Sequence, residues 1–293
     1  MPTIEYKNVS LNYGKTLAID NISMRLEENK IYGLLGRNGA GKTSLLSLLA
    51  AFRRPTQGLV ALDGTPVYES APQMEQIALV WGKNYQDDPR RVSEVLSFHK
   101  GLRKNWDQTY AAKLIQKFGI DVRKRVGKLS TGMQAAVNLV IGLAARAPIT
   151  IFDEAYLGVD APHRKTFYQE LLDDYMRFPR TFILSTHYIS EVENLFEEII
   201  ILKNGKLLEQ SDTQSFLSKG YAVTGNADAV DRFVSGRNVL GSQSLGKTRS
   251  DVVYGELDLE EKQAAQAEGL AFEQPSLQDM FIYLTEDISD ENK

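Results

Sequence analysis

The chain has no cysteine and only three histidines among its 293 residues. Without cysteine there are no disulfides, thiolate nucleophiles or cysteine-ligated metals, which suits a reducing compartment. No apolar run approaches the roughly 18 to 20 residues needed to cross a bilayer, and neither a charged-then-apolar leader nor a lipidation motif is present. The expected location is the cytoplasm, on the cytoplasmic face of a membrane only where a partner holds it there. A formal net charge of −4 gives no global attraction to nucleic acid, so no nucleic-acid partner is expected. Internal repeats and low-complexity tracts are absent as well. With 43% hydrophobic and 25% charged residues, the composition is that of a globular protein with one large or two smaller domains.

Against these absences stands one specific motif. Gly36-Arg37-Asn38-Gly39-Ala40-Gly41-Lys42-Thr43 fits the phosphate-cradling pattern G-x-x-x-x-G-K-[ST]. It lies between a buried-strand pattern, Lys30 to Leu35, and a Leu-rich helical one, Ser44 to Ala51, which is the context the motif requires. Glycines at 36, 39 and 41 let backbone N–H groups converge on phosphate oxygens. The helix N-terminus adds partial positive charge and Lys42 a full one. The expected nucleotide contacts are Gly36, Asn38, Gly39, Ala40, Gly41, Lys42, Thr43 and Ser44, with the Thr43 hydroxyl offered to Mg²⁺.

Other motifs narrow the chemistry. Ile149-Thr150-Ile151-Phe152-Asp153-Glu154 is an apolar strand ending in two acids. At the carboxyl end of a parallel strand, Asp153 can hold Mg²⁺ through water and Glu154 can polarise the water that attacks a γ-phosphate. Ser130-Thr131-Gly132-Met133-Gln134 precedes a helix expected near Ala135, a second place where a hydroxyl and backbone N–H groups can meet an anion; taken alone it is an ordinary helix cap. His187 follows the strand Thr181 to Ser185 directly, where a neutral imidazole can meet the γ-phosphate or the attacking water, whereas His99 and His163 read as surface residues. The basic pair Arg53-Arg54 reads as a solvated face.

Short alternating segments, Thr3 to Leu11 and Leu17 to Leu26, flank Tyr13-Gly14-Lys15 and predict antiparallel strands. Helical periodicity from Ser93 to about Ala147 predicts a helical insert spanning about 84–147, a helix is expected over Arg164 to Arg177, and Asn204-Gly205 predicts a hairpin. Residues 1–215 therefore read as one α/β domain. Residues 216–293 read as a small α+β appendix ending in an acidic tail, Glu286 to Lys293.

In this order and spacing, the motifs resemble the ATP-binding cassette (ABC) family over roughly residues 1 to 215. The resemblance implies a phosphate-loop NTPase fold with a mixed sheet core, an antiparallel β subdomain and a helical subdomain. It implies that Tyr13 stacks on adenine, that Lys42 and Thr43 grip phosphates and Mg²⁺, that Glu154 is the general base and that His187 is the switch histidine. Ser130, Gly132 and Met133 fall in the family's signature, and Gly158-Val159-Asp160 resembles the loop that crosses to the partner subunit. The implied working unit is a dimer enclosing two ATP molecules, the second subunit being the same chain or a different one.

Three departures stand out. Thr131 and Met133 replace the commonest signature residues, a variant associated with exporters. Ala155-Tyr156 stands where Pro-Thr is usual. Where the family expects a metal-facing Gln, spacing gives Gly82, with Asn84 and Gln86 as the other candidates. The segment Gln274 to Thr285 is similar to the close of exporter-type subunits, or is simply an amphipathic terminal helix. The implied function is the ATP-hydrolysing subunit of a membrane exporter, partnered by a separately encoded multi-span permease. The alternatives are a soluble ATPase of this family acting on nucleic acid or the ribosome, and a nucleotide-binding regulator without turnover, against which Glu154 and His187 both argue.

Overall fold

The structure, a computed structural model, describes residues 2–82 and 85–285. The chain folds as two compact units, one comprising 1–187 and 202–209, the other 188–201 and 210–293. The division departs from a single cut at residue 215: residues 188–201 belong with the C-terminal part, because the packing of α7 on α11 described below is made within that unit.

The first unit opens with β1 (Ile4–Tyr13) and β2 (Thr16–Leu26), antiparallel about the Gly14 turn. Next come β3 (Ile31–Leu35), α1 (Lys42–Leu49), β4 (Gln57–Leu62), β5 (Thr65–Pro66) and the short α2 (Ala71–Glu75). Strands β2-β1-β4-β5, in that order, form a four-stranded antiparallel sheet. After β6 (Ile77–Trp81) the helical insert supplies α3 (Val92–Leu102), α4 (Gln108–Lys117) and α5 (Thr131–Ala144). The chain then returns through β7 (Ile149–Asp153), α6 (Ala161–Arg177) and β8 (Thr181–Ser185).

Strands β3, β8, β7 and β6 lie side by side and parallel. Every residue of β3, β7 and β8 is buried, as a parallel sheet covered on both faces demands, and this is why the sequence shows unbroken apolar runs there. Parallel strands deliver the loops after β3, β7 and β8 to one edge of the sheet, and those loops carry the phosphate motif, Glu154 and His187. The insert is fastened to α6 by buried charge. Glu170 accepts from Lys113 at 3.0 Å and from Lys117, while Asp174 pairs with Arg180 at 2.6 Å and with Arg146. Arg146 also reaches Asp107, the N-cap of α4, at 3.2 Å.

The second unit contains α7 (Ile189–Val192), most of β9 (Glu198–Lys203) and the end of β10 (Lys206–Asp212); the turn between those strands is the expected Asn204-Gly205. Next are α8 (Thr213–Leu217), β11 (Gly220–Asn226), α9 (Ala227–Val234), β12 (Asn238–Leu245), β13 (Thr248–Tyr254), α10 (Leu259–Ala267), β14 (Ala271–Glu273) and α11 (Leu277–Thr285). The antiparallel order β12-β13-β11-β14, with α9 and α10 as crossovers, is the β-α-β-β-α-β split arrangement. Tyr221, Val223, Val230, Val234, Val253, Ala265 and Leu270 form its core. Helix α11 packs by Met280 against Gly220 and by Tyr283 against Gly241, and its first N–H, at Leu277, donates to Glu193 beside α7. The Pro-Ser-Leu segment caps this helix, Ser276 bonding both the carboxylate and the N–H of Asp279. The acidic segment 286–293 lies outside the described residues.

Candidate functional site

The phosphate loop encloses a cleft of about 270 Å³ lined by residues 38–44, Ala18 and Glu154. Its floor is the start of α1. Gly41 is the N-cap, at φ 104°, and an added Cβ would lie 2.8 Å from the Ala18 carbonyl oxygen, so only glycine fits. No side chain caps this helix, which leaves first-turn N–H groups facing the cleft.

Lys42 is buried. Its Nζ donates to the Gly36 carbonyl at 2.7 Å and to that of Arg37 at 3.5 Å, so the loop's own carbonyls aim the ammonium at the cleft mouth. Across that mouth Glu154 Oε1 sits 3.8 Å from Lys42 Nζ and 3.5 Å from His187 Nδ1. Glu154 has φ 49°, a left-handed conformation rare for a non-glycine residue, and its N–H donates to the Ser185 carbonyl at 3.1 Å. The three expected catalytic residues are thus brought together around one carboxylate oxygen.

Asp153 ends β7, buried, and its Oδ1 has no hydrogen-bond partner. A buried carboxylate oxygen without a partner is costly unless something else meets it. With the exposed Thr43 at the start of α1, the donor set suits Mg²⁺, which takes one or two protein oxygens and completes its shell with water and phosphate. No group of three or more His, Cys, Asp or Glu able to cage a metal occurs among the described residues.

Tyr13 stands partly exposed, its hydroxyl 3.3 Å from Ser44 Oγ. The Arg53 guanidinium lies 4.6 Å from its ring centroid and covers one ring face. Arg53, in sequence one of a solvated basic pair, is therefore spent on the Tyr13 ring.

Ser130, Gly132, Met133 and Asp160 do not line the cleft. Ser130 caps α5, Oγ accepting from the Met133 N–H at 3.3 Å, and the helix begins at Thr131 rather than near Ala135. Gly132 approaches the next loop so closely that an added Cβ would lie 2.5 Å from the Gly158 carbonyl oxygen. Gln134 is spent internally, accepting from the Tyr85 N–H at 3.0 Å and donating to the Leu129 carbonyl at 3.1 Å. Asp160 caps α6 through the His163 N–H at 2.9 Å, and this bond, followed by the imidazole itself, holds its carboxyl below the usual range. Of the candidates for the metal-facing position, Gly82 and Gln86 are exposed and Asn84 lies outside the described residues. Nearby Tyr85 is buried, its hydroxyl donating to Asn138 at 2.6 Å, and burial pushes its pKa up to about 12.

Two features escape a reading of the sequence. Trp81 and Phe52, both exposed, meet edge to face at 5.5 Å. Tyr156, in the unusual Ala155-Tyr156 pair, is buried and its hydroxyl donates to the Ser185 carbonyl at 3.1 Å. Neither is visible locally, because each partner is distant in the chain.

Residues 19–157 match the family described as ABC transporter. The chain is 26% identical over 209 residues to the ABC transporter ATP-binding protein YtrB of Bacillus subtilis, covering 71% of this chain and 72% of that one. It is 27% identical over 203 residues to the doxorubicin resistance ATP-binding protein DrrA of Mycobacterium tuberculosis, covering 67% of this chain but 61% of DrrA. Its fold matches a solved ATP-binding subunit of an ABC transporter with TM-score 0.65 at 19% identity, over 73% of this chain and 91% of that one. Relatives named for import and for export both occur. On the phosphate cleft, the fold and these likenesses together, the chain carries an ABC transporter ATP-binding domain, the domain of a family of ATPases coupled to transport.

Proposed function

We propose that this chain hydrolyses ATP to drive a membrane exporter, two cassettes closing over two ATP molecules. The observation that carries the catalytic part is the Glu154 carboxylate shared between Lys42 and His187 at the mouth of the phosphate cleft. In this reading Lys42 and the open N-terminus of α1 hold the β- and γ-phosphates, and Tyr13, backed by Arg53, holds adenine. Glu154 takes the proton of the attacking water, and His187 orients Glu154 and the γ-phosphate. Thr43, and Asp153 through water, would hold Mg²⁺, which would supply charge neutralisation on the phosphates.

Because Ser130, Gly132, Met133 and Asp160 lie off the chain's own cleft, we assign them to the nucleotide of a second cassette, either another copy or a different chain. No helix among the described residues is long and apolar enough to cross a membrane, so the transmembrane path is assigned to a separate multi-span permease. Attachment to it would place the chain peripherally on the cytoplasmic face. The exposed Phe52–Trp81 pair beside the insert suits such a docking contact, since exposed aromatic pairs commonly anchor interfaces. Export is favoured by the likeness to the Nod factor export ATP-binding protein of Burkholderia orbicola and by the signature variant at Thr131 and Met133.

The test is affinity purification of the tagged full chain from detergent-solubilised membranes. Recovery with a multi-span protein is expected. Recovery only from the soluble fraction, bound to ribosomes or nucleic acid, overturns the transport assignment.

A further inference from the structure

We infer that Tyr156 is a positioning residue for hydrolysis: its hydroxyl fixes the Ser185 carbonyl that sets both Glu154 and His187. The inference rests on the reading of Glu154 as general base. The Ser185 carbonyl accepts two hydrogen bonds, one from the Glu154 N–H and one from Tyr156 Oη, each at 3.1 Å. Ser185 ends β8 in register with Asp153, the residue before Glu154, and lies two positions before His187. One carbonyl thus joins the loop that carries the base to the strand end that carries the histidine.

Glu154 needs that support. Its φ of 49° is a conformation that a residue with a side chain leaves readily unless its surroundings hold it. Local turns tie the loop to itself, Leu157 N–H to the Glu154 carbonyl and Val159 N–H to the Tyr156 carbonyl. Tyr156 reaches outward from it to a rigid frame on both sides. Its ring is buried against Phe167 and Tyr168 of α6, with centroids 6.3 and 5.8 Å away, while its hydroxyl meets the end of β8. Proline-threonine at this point could not span that gap with one side chain, which gives the unusual Ala155-Tyr156 pair a physical reason. Shifts of about 1 Å in a base cost rate far more than binding.

The test is steady-state ATPase of the full chain carrying Tyr156→Phe, which keeps the ring and leaves the Ser185 carbonyl its bond from Glu154. We expect kcat to fall about tenfold with KM for ATP unchanged, the pattern of an interaction felt only in the transition state. The unfolding temperature should match that of Tyr32→Phe, a control at an equally buried tyrosine whose hydroxyl donates to the Glu27 carbonyl at 3.0 Å. In a Glu154→Gln background, Tyr156→Phe should cost nothing further, because the base it positions is gone. Wild-type kcat in Tyr156→Phe while Glu154→Gln is inactive overturns the positioning role and leaves the base assignment standing. A fall in kcat that also appears undiminished in the Glu154→Gln background, or that comes with an unfolding temperature below that of Tyr32→Phe, overturns it in favour of a purely structural hydroxyl. Wild-type turnover in Glu154→Gln itself overturns the base assignment and the inference with it.

Discussion

Two helix N-termini in the first unit, those of α1 and α5, are built from similar short polar sequences and finished in opposite ways. Helix α1 has glycine at its cap and no side chain on its first N–H groups, with a buried lysine curled over them. Helix α5 has Ser130 at its cap, and the serine hydroxyl already accepts from Met133. The first helix end opens onto the phosphate cleft, and the residues of the second do not line it. An uncapped end is costly in isolation and is kept where a ligand completes it, whereas a capped end folds complete and can greet a ligand on another molecule without changing shape. In the proposed function the triphosphate therefore belongs to α1 within a chain, and α5 serves a neighbour's.

The largest effect expected on the α1 side is that of Glu154→Gln. Turnover should fall at least about 100-fold, the usual contribution of a general base, with ATP affinity retained. ATPase assays beside calorimetric titration check this, and persistent hydrolysis would remove Glu154 from the site. Lys42→Ala should weaken ATP binding by about 1.5 to 3 kcal/mol, as for other hydrogen bonds to charged groups. An unchanged affinity would erase the distinction between the two helix ends.

Ser130→Ala sharpens the comparison from the other side. Loss of the cap should cost about 1 kcal/mol of stability by denaturant unfolding while ATP affinity of the separated chain stays the same. ATP-driven dimerisation, followed by light scattering in the Glu154→Gln background, should weaken. A loss of affinity in the monomer would mean that α5 serves its own chain's nucleotide.

The smallest effect concerns how α5 is carried, on an insert held to α6 by Glu170. Burial works to raise the Glu170 pKa, but Lys117 and Lys113 outweigh it and the net shift is downward. A carboxyl lowered in the folded state adds stability that is complete above its ordinary value near 4.5 and is lost as pH falls through the lowered one. Acid unfolding should therefore steepen below that value in the wild type and flatten in Glu170→Gln, as circular dichroism across the acid range would record.

Much of the fold is legible in the sequence because its causes are local. Glycine spacing at 36, 39 and 41 specifies a loop, the apolar runs at 31–35, 149–153 and 181–185 specify buried strands, and Asn204-Gly205 specifies a turn. Strand β12 is not legible in the same way. Its sequence, from Asn238 to Leu245, is mostly polar and exposed, and it is a strand because β13 pairs with it. The grouping of 188–201 with the C-terminal unit is hidden for a related reason, since a terminal helix, α11, supplies the packing partner of α7.

By itself, the sequence determined the devices that close within a few residues: the phosphate loop, the caps, the turns and the buried-strand pattern. These follow from backbone sterics and from hydrogen bonds to near neighbours. Only the tertiary structure decided which groups share a site. Glu154 meets Lys42 and His187, Arg53 backs Tyr13, and Tyr156 reaches a carbonyl 29 residues onward, because parallel strands bring their carboxyl ends to one edge. Such meetings depend on strand order in the sheet, and no local stretch of chain encodes it.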